Sequence, residues 1–317
     1  MLNDLVSIVH VKGSTILRSE RSKVQTLHVI AAVVQLHAVK RMGQRCMVWP
    51  VQIYRNDSSI EYLADMKLFY REAGEGQPLI ILHGLFGSSD NWFTLSKTFA
   101  EKFRVFTVDQ RNHGQSPHSA EHNYEALTAD LEEFIASLRI EQPILMGHSM
   151  GGKTVMNFAV KHPSVADKIV VVDMMPKAYP VHHDHIVEGL QAIDLGALRS
   201  RGEADQLLGQ HIAEPDVRQF LLKNLTRTEG GFSWRINLPA LAQNIGAMVG
   251  DMVFNGVYNG PALFIKGARS NYYKPGDEGR VNQLFPRAQW ATLDTGHWVQ
   301  AEKPREFAET VLQFLSA

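Results

Sequence analysis

The sequence predicts an α/β fold built on a mostly parallel central sheet, and three observations predict it. Beyond Leu82, short apolar runs alternate with longer amphipathic ones, the pattern of repeated strand–helix–strand units. A G-x-S-x-G pentapeptide, Gly147 to Gly151, lies between one such run and the amphipathic stretch after it. A glycine–histidine pair, Gly296 and His297, follows the last predicted strand, where the chain returns to the carboxyl edge of the sheet.

Taken in order, residues 66–72 read as a first strand, with a turn at 74–76 and a second strand at 78–82. Strands follow at 104–108, 143–146 and 168–172, separated by helices at 124–138 and 151–161. A long insertion, about residues 174–259, has helical apolar spacing at 186–198, 204–212 and 217–225 and reads as a helical lid. Strands at 261–266 and 288–293 and a closing helix at 304–315 complete the pattern, and no internal repeat appears.

Residues 1–65 read differently. They hold eight Lys/Arg against five Asp/Glu, show no clean period and carry no motif tied to chemistry. Met66 could itself initiate translation, so the favoured reading is an N-terminal extension outside the fold, with residues 66–317 as the main domain. The competing reading is an organelle-targeting presequence, supported by the basic excess and weakened by Asp4 and Glu20. The first makes the location cytoplasmic and the second mitochondrial. The apolar run at 29–34 is too short to span a bilayer, so no stable membrane insertion is expected.

Composition narrows the partners. A formal net charge of -1 gives no electrostatic reason to expect nucleic acid and points to small molecules. The single cysteine, Cys46, excludes an intramolecular disulfide and a four-cysteine zinc site. His182, His183 and His185 form a cluster, but without a second ligand set they read as a solvated start to the lid, and no metal is expected. No cofactor is expected either, and nothing signals an oligomeric state.

The pentapeptide carries the chemistry. A serine in a sharp strand-to-helix turn projects its hydroxyl above the sheet, and glycines two residues either side prevent collisions. Ser149 is therefore the candidate nucleophile, and the Met150 amide at the start of the next helix is a candidate oxyanion donor. A serine hydroxyl needs a base, and His297 is the candidate among fourteen histidines. His148 adjoins the nucleophile but is expected to point away from it, and His83 and His113 read as structural or oxyanion-side residues. Lys153, one turn into the helix, reads as solvated or structural rather than as a phosphate or thioester-carrier ligand.

By this point the residues resemble the α/β-hydrolase family over residues 66–317. His83-Gly84-Leu85-Phe86-Gly87 is similar to its oxyanion loop, and the run from Asp109 to Ser116 to its turn after the next strand. The resemblance implies an α/β-hydrolase fold: a mostly parallel central sheet flanked by helices, with a helical lid inserted after the sixth strand. Family members most often place the acid three residues beyond a glycine after the strand following the lid. Here Gly267 is followed by Ala268, Arg269 and Ser270, so a serine fills that slot. A hydroxyl cannot hold an imidazolium as a carboxylate does. Asp173, ending the strand beside the nucleophile's, is the first candidate, Asp294 the second and Asp277 the third.

The whole set, including Gly-His-Ser-Met-Gly-Gly-Lys, Ser270 followed by Tyr272, and Gly-His-Trp-Val, resembles the YbfF-type esterases and related mitochondrial abhydrolase proteins. That resemblance implies an esterase or acyl-thioesterase without cofactor, acting on a small-molecule acyl ester or thioester, with Asp173 as the acid. In similar enzymes the residue after His-Gly supplies the second oxyanion amide, here Leu85, and Phe86, Met174 and Trp298 are candidate acyl-pocket residues. A serine nucleophile argues against dehalogenation or epoxide opening. It leaves open cofactor-free C–C hydrolysis, perhydrolysis, and a ligand-binding receptor with a slow vestigial triad.

Overall fold

The computed structural model describes residues 6–11, 14–18, 35–42 and 45–52 as backbone, and residues 66–180 and 184–316 in full. Contacts divide the chain into two units, Met1–Ala64 and Asp65–Ala317.

In the first unit, β1 (Val6–Val11), β2 (Ser14–Arg18), β3 (Gln35–Met42) and β4 (Arg45–Gln52) form an antiparallel sheet in the order β2-β1-β3-β4. The sequence reading assigned no element here. The reason is visible in β3, where apolar residues at 36, 38, 39 and 42 follow no period of two.

The second unit is built on a seven-stranded sheet. Its strands are β5 (Tyr70–Ala73), β6 (Pro78–Leu82), β7 (Arg104–Val108), β8 (Ile144–His148), β9 (Lys168–Val172), and, after the insertion, β12 (Ala262–Gly267) and β13 (Ala288–Leu293). The insertion's own strands, β10 (Leu225–Thr228) and β11 (Gly231–Trp234), pair only with each other in a hairpin. The sheet runs β13-β12-β9-β8-β6-β7-β5, with every neighbouring pair parallel except the edge pair β5 and β7. β5 starts at Tyr70, later than the expected first strand, because Phe69 is tied off by the Ser116 hydroxyl and the Asp109 amide.

Alternation along the central strands sorts side chains to two cores, as a pleated sheet buried on both faces requires. Ile80, Leu82, Leu145, Ile169, Val171 and Phe264 face α2 (Tyr124–Ser137), α3 (Met150–Lys161) and α8 (Asp277–Leu284). Leu79, Ile81, Ile144, Met146, Val170 and Ile265 face α1 (Phe93–Phe99) and α10 (Pro304–Leu315). A short helix, α9 (Val299–Glu302), links the last loop to α10.

The insertion follows β9, as the sequence placed it; that strand is the fifth of this sheet, where the family count makes it the sixth. It is not wholly helical: α4 (Asp184–Gln191), α5 (Arg201–Leu208) and α6 (Pro215–Leu222) are followed by the β10–β11 hairpin and then α7 (Leu238–Val249). The hairpin turns at Glu229-Gly230, with Gly231 paired to Thr228 at the start of β11, and α7 opens on Asn237, whose side chain accepts from the Ala240 amide, with a proline in its first turn. The insertion has its own apolar core, which includes Leu190, Leu208, Leu222 and Leu241 and also takes in Phe86 of the loop after β6. Among the described residues, no helix is long and apolar enough to cross a membrane.

Candidate active site

Ser149 stands between β8 and α3 with φ 52° and ψ −116°, a backbone conformation that L-residues rarely adopt. The flanking glycines make the turn possible. A Cβ on Gly147 would fall 2.1 Å from the Gly151 carbonyl oxygen, and one on Gly151 would fall 2.6 Å from that of Leu82. The Ser149 amide donates to the Val172 carbonyl at 3.0 Å, which fixes the turn to the next strand.

The His297 ring lies over this serine. Its Nε2 is 3.1 Å from Ser149 Oγ and its Nδ1 is 2.7 Å from Asp173 Oδ2. Asp173 follows β9, has φ 48° and is wholly buried. Its Oδ1 accepts from the Gly267 amide at 2.9 Å, and its Oδ2 also accepts from the Ser270 hydroxyl. Ser270, in the slot where the acid was missed, therefore braces the carboxylate that stands on the neighbouring strand. The other candidate acids are elsewhere. Asp294 pairs with Arg269, its side chain 71% exposed. Asp277 pairs with Lys177 at 2.5 Å and accepts the Lys274 amide at the start of α8.

The loop after β6 is set by buried, neutral histidines. His83 Nδ1 donates to the Gly84 carbonyl at 2.8 Å, and its Nε2 accepts from the Gln110 amide at 3.0 Å. His113 Nδ1 donates to the Arg111 carbonyl at 2.9 Å, and its Nε2 accepts from the Phe86 amide at 3.1 Å. Burial is the main cause that lowers both from the ordinary histidine value, and it takes the adjacent His122 to about 3. Asp109 ties two loops together, accepting from the Ser89 amide at 2.6 Å and the Gln115 amide at 2.8 Å. The outcome for the two candidate oxyanion donors is specific. Among the described residues, the Leu85 and Met150 amides donate to no protein acceptor, whereas the Phe86 amide is committed to His113.

Two residues at the site have roles the sequence reading missed. His148 turns toward the base: its Nε2 donates to the His297 carbonyl at 2.9 Å and its ring centroid is 4.7 Å from that of His297. Burial, then the neighbouring His297, holds His148 well below the ordinary histidine value. Tyr272 stacks on the base, its ring centroid 3.9 Å from the imidazole and 15° from parallel. Lys153, expected to be solvated or structural, is the latter: it is buried, its Nζ donates to the Gly250 carbonyl at 3.0 Å and lies 5.3 Å from the ring centroids of both Tyr124 and Tyr179. Burial lowers its ammonium to about 8.

Of the candidate acyl-pocket residues, Trp298 is half-buried and its ring centroid lies 5.7 Å from that of Phe220 of α6. Phe86 packs in the core of the insertion, where Asn224 donates to its carbonyl at 2.7 Å. Met174 packs in the core on the α3 face of the sheet. His182 and His183 lie outside the described residues, among which no group of three or more His, Cys, Asp or Glu could hold a metal.

Comparisons with known proteins agree with the fold. The α/β-hydrolase-fold family matches residues 77–201. The sn-1-specific diacylglycerol lipase ABHD11 of Mus musculus is 39% identical over 247 residues, 75% of this chain and 80% of that protein. Esterase YbfF of Escherichia coli K12 is 34% identical over 241 residues, covering 75% of this chain and 93% of that protein. A solved marine microorganism esterase has a TM-score of 0.77 at 39% identity, covering 78% of this chain and 99% of that one. The chain therefore belongs to the α/β-hydrolase family and, within it, resembles the YbfF-type esterases.

Proposed function

We propose that the protein is a serine hydrolase that cleaves carboxylic ester or acyl-thioester bonds of small to medium acyl substrates through an acyl-enzyme. The observation that carries this reading is the hydrogen-bonded series from Asp173 through His297 to Ser149, at 2.7 and 3.1 Å, beside two uncommitted backbone amides. The esterase and lipase names of the relatives support the ester class.

In this mechanism His297 Nε2 takes the proton of Ser149 Oγ as the oxygen attacks the acyl carbonyl. Asp173 keeps the proton on Nδ1, so that Nε2 presents its lone pair, and stabilises the imidazolium that forms. The Leu85 and Met150 amides receive the oxyanion, with the amino end of α3 adding its dipole. His297 then returns the proton to the departing alkoxide or thiolate. Water, deprotonated by the same nitrogen, hydrolyses the acyl-enzyme and regenerates the serine. Trp298 and Phe220 are proposed to meet the acyl group at the mouth of the site, where an apolar wall suits an alkyl chain.

Hydrolysis of p-nitrophenyl acetate, butyrate and octanoate, beside the matched acyl-coenzyme A thioesters, tests the proposal, with Ser149→Ala as the blank. Turnover that disappears in the variant supports it, and the ratio of ester to thioester rates assigns the leaving group. Binding of acyl compounds without turnover would instead make the protein a receptor on the same fold.

A further inference from the structure

Two aromatic neighbours of the His297 ring differ in kind. His148, held neutral by burial, donates to the His297 carbonyl and so anchors the backbone of the loop. Tyr272 lies nearly parallel to the imidazole at 3.9 Å and presents its π-face. Tyr272 is itself fixed at three points. Its amide donates to Ser270 Oγ at 3.2 Å, its carbonyl accepts from Tyr179 Oη at 3.0 Å, and its ring centroid lies 5.0 Å from that of Tyr179. Tyr179 Oη in turn accepts from the Met175 amide at 2.8 Å, two residues beyond Asp173. One short stretch of chain thus joins the hydroxyl that braces the acid to the ring that covers the base.

We propose that Tyr272 is a positioning residue for the base, its aromatic face holding the His297 imidazole in the plane that joins Asp173 to Ser149 and stabilising that ring when it takes the serine proton. This rests on the reading of Ser149, His297 and Asp173 given above. An imidazolium over the electron-rich face of a tyrosine is a cation–π pair, favoured over the neutral ring. The stabilisation therefore grows as the proton is transferred, which is the condition for an interaction that raises kcat rather than substrate affinity. The groups facing the imidazole are Asp173, Ser149, His148 and Tyr272, with Trp298 adjoining. Lys153 sits one layer further out against Tyr179, so the charge of Asp173 and the face of Tyr272 dominate the ring's surroundings. Burial raises the Tyr272 phenol, so its ring stays uncharged while the enzyme works.

The test uses the full chain carrying Tyr272→Phe, Tyr272→Leu, or pentafluorophenylalanine at 272, which keeps the shape of the ring and reverses the charge of its face. Rates of p-nitrophenyl butyrate hydrolysis are divided by the active fraction, titrated with a fluorophosphonate, and followed from pH 5 to 9. Tyr272→Phe should stay within about twofold of the parent. The leucine and pentafluoro variants should lose roughly tenfold in kcat, inside the range of a cation–π contact, with KM changed by less than about twofold. The acid limb of their kcat/KM profile should also move to lower pH, because the protonated ring loses its favourable face. Should the leucine variant fail to fold, the pentafluoro variant alone decides. Equal kcat and an unmoved acid limb in the pentafluoro variant would overturn the proposal. Ser149→Ala separates this from the underlying reading: if that variant keeps its turnover, the site assignment fails rather than the role of Tyr272.

Discussion

Replacing Asp173 by asparagine changes one atom of a wholly buried side chain and reverses the logic of the site. Its Oδ2 now accepts from His297 Nδ1 at 2.7 Å and from the Ser270 hydroxyl, while Oδ1 accepts from the Gly267 amide at 2.9 Å. An asparagine satisfies that amide with its carbonyl oxygen and turns its NH2 toward the ring. Nδ1 must then accept, the proton moves to Nε2, and the nitrogen facing Ser149 at 3.1 Å can no longer receive a proton. The same change in a serine protease triad drops kcat about 10⁴-fold, so a loss of 10³ to 10⁴, about 4–5.5 kcal/mol in the barrier, is expected here. Asp294→Asn is the control. Its carboxylate is 71% exposed and paired with Arg269, and surface pairs contribute about 0–1 kcal/mol, so activity should stay within about twofold. The assay is p-nitrophenyl butyrate turnover per active site, with circular dichroism to verify folding. Asp173→Asn retaining more than a tenth of the parent rate, or Asp294→Asn losing most of it, would refute the assignment of the acid.

Three further outcomes follow from the same geometry. Gly147→Ala sets a Cβ 2.1 Å from the Gly151 carbonyl oxygen, so thermal melting should reveal about 1–3 kcal/mol of destabilisation, together with a loss of turnover as the elbow shifts. Lys153 carries a pH signature. Burial lowers it from 10.5 to about 8, so the unfolded chain binds more protons than the folded one between those values, and stability should rise with pH across that window by about 3 kcal/mol relative to Lys153→Met. Urea unfolding of both proteins from pH 7 to 11 measures it, and a constant difference would contradict it. A chain beginning at Met66 should fold and hydrolyse esters at the parent rate, because every residue proposed for catalysis lies in the Asp65–Ala317 unit; a rate below a tenth of the parent would give residues 1–65 a part in the site.

How much of this was legible depends on how local each signal is. The elbow is readable because its chemistry is written in five consecutive residues between a buried strand and a helix. His297 is readable from its place after the last strand. Asp173 needed topology: it lies 124 positions from His297, and only the adjacency of β9 to β8 and β12 brings them together. Ser270 was seen as a missing acid but not as the hydroxyl that braces the relocated one, since that contact crosses 97 positions. The stacking of Tyr272 and the inward turn of His148 are likewise long-range, and no periodicity encodes them. Lys153 stayed open between solvated and structural because its helix position alone does not decide; the tyrosines that cage it come from α2 and from the loop after β9. The β10–β11 hairpin is a different kind of miss. Glu229-Gly230 between Leu225–Thr228 and Gly231–Trp234 was a local turn signal, outweighed by the helical spacing just before it.

On this mechanism the Ser149 oxygen is made nucleophilic by the ring of His297. Peptide mass spectrometry after reaction with a fluorophosphonate tests it most directly. A single phosphonyl adduct is expected on the peptide that holds Ser149, absent from Ser149→Ala and slowed at least about a hundredfold in His297→Ala. An adduct on a different residue, or labelling of His297→Ala at the parent rate, would contradict it.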